Sequence, residues 1–397
     1  MYCSGFLFRS AICSRSSCIV SELSNIHQTN GVKKGEPRLK KGVLLLLVLF
    51  LAAPALEADA KSKKKSRSYS IALETGISAD YDDNVFRRTD DERDEFPTSI
   101  MEGKWDRIHT LDDFIVGQWI DLEYTRSNTR ITARAKQTNY WQNPAKTFHY
   151  YGLNFRQKLA PWTYAFLDYR YIPRYYIRQI YDDDTRDHEA YDYTKHRVAL
   201  DLKRSFFKRG ALSVRIHGRF EREDYTENFD EYDFNAYATE GEIGYDITRD
   251  LEIGFEALYR EVHTKGYDEP DETADDNDDS DGSYEENTFE LKISYDLPFK
   301  MFGRTPAVSV GGSKNKKVYT ADESPFEDPY HAGREDHKYA FDAGIRLSLG
   351  HGISTSVDYR WQQREVDSFA KDDLGDEKDF TSNTIGMQVS VTQDILK

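Results

Sequence analysis

Nine basic residues of this 397-residue chain, Arg130, Arg134, Lys136, Arg156, Arg170, Arg197, Lys203, Arg215 and Arg219, fall at positions that alternate with apolar ones. A second set, Glu240, Glu242, Asp246, Glu252, Glu256 and Glu290, does the same further along. Charges on one face of a wall act together on passing solutes. Two walls of opposite sign set up a transverse field that orients polar molecules and tunes ion selectivity. Separated in sequence, the two sets are expected to face each other across a closed interior. The chief candidates for lining it are Arg134, Arg156, Arg197, Arg215, Arg219, Glu240, Glu242, Glu252 and Glu256. The competing expectation is that these charges pair with one another and fill the interior.

Other chemistry has thinner support. Asn277-Asp-Asp279-Ser-Asp281-Gly282 alternates oxygen ligands ahead of a glycine, as a calcium loop does, which makes Asn277, Asp279 and Asp281 weak calcium candidates. The twelfth position of that register is Thr288, where a bidentate glutamate belongs. A hydrolase would need serine, histidine and an orienting group in mutual hydrogen-bond reach. Ser213 and His217 share one strand face, but four residues of strand separate them by roughly 13 Å. His188, His331 and His337 are expected in exposed loops. No zinc spacing, phosphate loop or nucleotide motif occurs, so no catalytic residue, cofactor or enzymatic activity is assigned.

The elements that would position these charges follow from strict alternation. Val198, Leu200 and Leu202 interleave with Arg197, Asp201 and Lys203; Leu212, Val214, Ile216 and Phe220 interleave with Arg215, His217 and Arg219. Successive side chains on a strand point to opposite faces. The pattern recurs fourteen times and predicts strands at 68–81, 113–126, 129–141, 147–159, 162–172, 192–204, 210–224, 232–247, 250–263, 286–297, 305–318, 336–350, 353–365 and 380–393. Links after even strands are short. Most links after odd strands are long and acidic: 82–112, 173–191, 264–285, 319–335 and 366–379. That asymmetry predicts an all-β fold, a transmembrane antiparallel up-and-down β-barrel of about fourteen strands, with both termini periplasmic. Tyr124, Tyr151, Tyr169, Tyr171, Tyr245, Tyr259 and Trp361 fit interfacial girdles on the outer face. Only scattered aromatics, such as Trp119 and Phe166, have inward parity.

Composition narrows the class. Hydrophobic residues make up 38% and aromatics 14%, which is too little aliphatic residue for a large buried core but suits a barrel with one apolar face. A net charge of -16 excludes the basic footprint of a nucleic-acid binder. Arg38, Lys40 and Lys41 precede the apolar run from Val43 to Ala53, and Ala58-Asp59-Ala60 follows with small residues at its first and third positions. This reads as a secretion signal over 38–60, cleaved after Ala60. Residues 1–37 read as an upstream extension that belongs to no domain, 61–67 as a basic periplasmic lead-in, and 68–397 as the barrel. Cys3, Cys13 and Cys18 all precede the cleavage site, so the mature chain would have neither a disulfide nor a lipid-bearing cysteine.

Gly76-Ile-Ser-Ala-Asp-Tyr81-Asp82-Asp83-Asn84-Val85-Phe86-Arg87 closes the first predicted strand. It resembles a signature of outer-membrane β-barrel porin families, some of whose members are associated with exopolysaccharide. The resemblance implies fold and location more than activity. Thr384-Ile-Gly386-Met-Gln-Val389-Ser-Val391 looks like the sorting signal read by the barrel assembly machinery, although the chain continues to Lys397 instead of ending on an aromatic. The resulting expectation is a monomeric, porin-like passive channel of the cell outer membrane for small polar or anionic solutes. Its partners would be outer-membrane lipid, lipopolysaccharide and the assembly machinery. The alternatives are a non-conducting structural or surface-interaction barrel in envelope or exopolysaccharide assembly, and a barrel hydrolase.

Overall fold

The computed structural model describes residues 69–99, 108–182, 187–207, 211–265, 281–321, 324, 328–371 and 373–396. The predicted extension, signal and lead-in, with Asn277 and Asp279, lie outside these residues. Fourteen strands form: β1 Tyr69–Asp82, β2 Asp113–Arg126, β3 Thr129–Tyr140, β4 Phe148–Ala160, β5 Thr163–Asp182, β6 Asp187–Phe206, β7 Leu212–Tyr225, β8 Phe234–Asp246, β9 Leu251–Thr264, β10 Tyr284–Asp296, β11 Ala307–Tyr319, β12 Arg334–Gly350, β13 Ile353–Ser368 and β14 Phe380–Leu396. Each pairs antiparallel with its sequence neighbours, and β1 pairs with β14, closing an up-and-down barrel. Closure removes every free sheet edge. Among the described residues no helix is long and apolar enough to cross a membrane.

The wall turns a soluble protein inside out. On β6 and β7 the pairs Leu200↔Gly218 and Leu202↔Ile216 lie on one face, and Asp201↔His217 and Lys203↔Arg215 on the other. Leu200 is 63% exposed and Ile216 59%, whereas Asp201 is 3% exposed. The apolar side chains look outward and the charged ones inward. That is the arrangement a lipid-facing wall requires and an aqueous exterior disfavours.

One predicted loop is corrected. Most of 173–191 is strand, because β5 and β6 run for 20 residues each. Register shifts between Ile172 and Tyr175, and again between Tyr176 and Arg178, break the pairing there. A bulge inserts a residue and so reverses the parity beyond it, which ends the alternation visible in the sequence just where the hairpin continues.

Two glycines fix close approaches. A Cβ on Gly76 would overlap the ring of Trp119, which stands directly opposite on β2. Gly352, at φ 79° in the β12–β13 turn, leaves no room for a Cβ beside the Thr392 carbonyl.

The long β1–β2 connection has its own structure. It includes helix α1, Asp90–Ser99, and buries Phe96, Ile108 and Leu111 together, with Phe86 packed against them. Between β13 and β14 a short helix α2, Leu374–Lys378, buries Leu374 completely and touches α1.

Candidate functional site

The inward face of β2 to β10 carries the predicted charges, and the register settles their arrangement. Arg134 on β3 forms a two-point ion pair with Asp121 on β2. Arg170 binds Asp168 at 2.7 Å. Arg215 holds Asp201 at 2.7 Å and reaches Glu242 at 3.6 Å. Glu221 on β7, almost completely buried, is a hub for four cations: Arg260 at 3.0 Å, Arg219 at 3.3 Å, Lys195 at 3.5 Å and Arg197 at 3.7 Å. Arg156 has no carboxylate partner among the described residues and stacks 4.2 Å over Tyr164.

The two charged sets oppose each other only at their outer ends, where β3 and β10 stand half the ring apart. Strand order in the closed barrel follows the sequence, so β8–β10 abut β3–β7. The sets meet at the β7–β8 seam, where Arg215 stands opposite Glu242. The basic wall is also less basic than its arginine count suggests. Asp121, Asp168, Asp201, Glu221 and Glu223 share its inward face and neutralise much of it. Their inward parity could be read from the sequence. Their pairing could not, because it depends on cross-strand register.

The acidic set is contiguous. Glu256 lies directly across from Glu242 on one side and Glu290 on the other, and Asp246 across from Glu252. Of Glu240, Glu242, Glu252, Glu256 and Glu290, only Glu242 is ion-paired among the described residues. Like charges in directly opposed positions repel, so this stretch keeps an uncancelled negative field. Among the described residues no group of three or more His, Cys, Asp or Glu side chains could hold a metal ion. Asp281 accepts hydrogen bonds from Ser283 N and Thr264 Oγ1, both at 2.9 Å, and so closes the neck of its loop.

At the long-loop end the sequence motif becomes geometry. Asp82 takes both guanidinium nitrogens of Arg87, at 2.9 and 2.8 Å. Asn84 is fully buried; its amide donates to the carbonyls of Arg88 at 2.7 Å and Thr381 at 3.0 Å, and its oxygen accepts from Arg88 N at 2.8 Å. Asn143, in the β3–β4 link and equally buried, fastens the other end of the β1–β2 connection: it donates to Thr110 O at 3.0 Å and accepts from His109 N at 2.9 Å. Between these anchors the connection reaches across the barrel. Arg87 lies within electrostatic range of Tyr175 on β5 and of Lys338 on β12, strands half the ring apart. Arg88 is likewise within range of Arg178 on β5 and Arg364 on β13. The lumen therefore narrows here, around arginines.

Inward aromatics at this end were underestimated from the sequence. Phe148–Tyr175 (edge-on), Tyr175–Tyr193 (stacked) and Tyr193–Tyr225 (tilted) pack in series, with ring centroids 5.1 to 5.3 Å apart across β4 to β7. Tyr284 and Tyr319 continue on β10 and β11, with Lys317 3.7 Å from the centre of the first ring. Beside them the Lys146 ammonium lies 4.6 Å from Phe86 and under 6 Å from Tyr140 and Tyr175. Burial, together with the charges of Arg87 and Arg88, depresses its pKa to about 8. Each arginine or lysine in this collar trades water for a ring face.

The histidine expectations change: His188 lies on β6 and His337 on β12, not in loops. His331 is not isolated, since its Nδ1 contacts Asp328 Oδ2 at 2.8 Å. His217 on β7 pairs with Asp201 on β6, which gives an Asp–His couple. No serine or threonine hydroxyl completes it among the described residues: His217 Nε2 is buried without a hydrogen-bond partner.

No family model matches the sequence, and no curated protein is similar to it. Solved structures of similar fold include the outer membrane channel DcaP of Acinetobacter baumannii, at 9% identity and TM-score 0.43, covering 84% of this chain and 99% of that one. A bacterial polysaccharide outer membrane secretin is similar at 9% identity and TM-score 0.40, covering 80% and 97%. The outer membrane protein OprD from Pseudomonas aeruginosa is similar at 9% identity and TM-score 0.38, covering 85% and 97%.

Proposed function

We propose that this chain is an outer-membrane barrel acting as a porin-like passive channel for small polar or anionic solutes, with both termini in the periplasm. The observation that carries this reading is the opposite chemistry of the two faces of one closed wall. Outward residues such as Leu200, Ile216 and Leu291 are apolar and exposed, while the inward face carries Arg134, Arg215, Glu240 and Glu256. An apolar exterior on a wall whose backbone groups are all paired is stable in hydrocarbon. A wall of fourteen strands encloses more space than its own side chains fill. Outer-membrane lipid and lipopolysaccharide would be its surroundings. The barrel assembly machinery would read Thr384 to Val391, which in this fold is the middle of β14. Each barrel would work as a monomer.

A second reading, a non-conducting barrel acting through its surface, is favoured by the packing at the long-loop end, where Phe96, Ile108, Leu111 and Leu374 are buried. Single-channel recording in planar lipid bilayers separates the two. Discrete openings by the properly folded, heat-modifiable barrel support the channel. Silence from the same preparation overturns it in favour of the closed barrel.

A further inference from the structure

The strand-wall arginines are largely neutralised, so they cannot set the ion preference of the lumen by themselves. Apart from Arg156, unpaired positive charge gathers at the long-loop end. On the inward face, Lys338 of β12 stands directly across from Arg364 of β13. Like charges in directly opposed positions are destabilising, and Lys338 makes no ion pair or hydrogen bond to a described residue; the carboxylate in its electrostatic range, Glu286, is held by Arg260 at 3.3 Å. Arg364 donates to the Lys378 main-chain carbonyl and stacks 4.8 Å over Phe380; of the carboxylates in its range, Asp336 is taken up by Arg334 at 2.6 Å and Asp379 accepts from Val366 N, so neither forms an ion pair with it. Lys338 also lies within electrostatic range of Arg87, and Arg364 within range of Arg88. From the far wall Arg178 is within range of Arg88 and of Lys378. The carboxylates of Asp82 and Glu92 answer Arg87 and Arg88. Lys338, Arg364 and Arg178 have no carboxylate partner within ion-pair distance among the described residues.

We propose that this basic cluster is a selectivity filter for small oxyanions, which bind briefly between Lys338 and Arg364 as they cross the constriction, with Arg178 adding to the positive field from the other wall. This rests on the channel reading and deepens it. An anion here removes the mutual repulsion of the basic groups. Guanidinium groups suit the planar oxygen pairs of carboxylates and the faces of phosphates. The acidic stretch around Glu256 belongs to β8–β10, so the constriction and the acidic wall offer a passing zwitterion opposite charges at separate places.

Lys338 is the residue to change, because its replacement breaks no described bond. The full chain, exported and purified from membranes, is compared with Lys338→Gln and Lys338→Glu, each checked for heat-modifiable mobility. Two quantities are read: the chloride-to-potassium permeability ratio from reversal potentials, and the binding of inorganic phosphate by calorimetry. The proposal expects a wild-type preference for chloride that falls about fivefold or more in Lys338→Glu and by less in Lys338→Gln. It also expects phosphate binding that Lys338→Glu abolishes. Current without anion preference, or a preference unchanged by Lys338→Glu, overturns the filter and leaves the channel standing. Phosphate binding without current overturns the channel but supports the anion site. Absence of both overturns the two together.

Discussion

Asp83 and Asn383, 300 positions apart, hold each other at three points across the β1–β14 seam. Asn383 N donates to Asp83 Oδ1 at 2.7 Å and Asn383 Nδ2 to Asp83 Oδ2 at 2.8 Å, while Asp83 N donates to Asn383 O at 3.1 Å. The next residue, Asn84, adds a bond to Thr381 on the same strand. The motif that drew attention in the sequence is thus the clasp that joins the first strand to the last, and it also launches the connection that narrows the lumen.

Breaking the clasp should cost more at Asn84 than at Asp83. Asn84→Ala strands two backbone carbonyls and one N–H in a buried site, a loss of about 2–4 kcal/mol. Asp83→Ala leaves its partner nearer to water and should cost less. Urea unfolding in detergent micelles checks the order, and equal losses would contradict it.

The close approach of Gly76 and Trp119 should be visible in fluorescence. Gly76→Ala puts a Cβ inside the ring's volume, so Trp119 must rotate away, at a cost of about 1–3 kcal/mol. The emission of Trp119 should change with it. Trp119→Ala in the same chain should restore most of the lost stability, since the obstacle is then gone.

Arg215 is now expected to act on stability as well as on selectivity. Arg215→Glu would set three carboxylates together, with Asp201 and Glu242, and leave Asp201 buried without that partner. The expected loss is about 3 kcal/mol or more. A fully stable Arg215→Glu barrel would mean that the pair with Asp201 contributes little.

Lys146 gives a pH dependence whose sign is fixed. Its pKa is about 8 in the folded chain against an ordinary 10.5. Below pH 8 both folded and unfolded chains hold the proton, and burial of the charge weakens the fold in full. Between about pH 8 and 10.5 only the unfolded chain keeps it, so stability rises with pH across that window, by roughly 3 kcal/mol at most. The surrounding rings reduce that figure. Lys146→Met should remove the rise, which comparison of the two proteins at pH 7 and pH 10.5 would reveal.

The strands were legible because a wall apolar outside and polar inside imposes a period of two, and Val198 to Lys203 shows it as plainly in sequence as in space. Parity alone also placed Arg134, Arg215 and Glu256 on one face. Three things were not legible. The β5 bulges shift parity at Tyr175 and Arg178, which hid the long hairpin. Ring order makes the charged sets neighbours at the β7–β8 seam and opponents only at β3 and β10, and it exists only once the barrel closes. The constriction depends on Asn84 and Asn143, two uncharged side chains whose importance lies in where their hydrogen bonds go. The inward rings of Tyr175 and Tyr225 lie beyond the predicted strands, whereas the inward parity of Tyr193 is legible within 192–204.

The β1–β14 seam also governs the order of assembly. The first strand must wait for the last, so the pairing with the longest sequence separation is the one that completes the structure. Until then the sheet has two open edges that would template pairing with other chains. Contacts of such separation form slowly. A chain cut short before Phe380 would therefore keep its edges open instead of forming a smaller barrel. Closure would be a late, all-or-none event requiring the whole chain to be present.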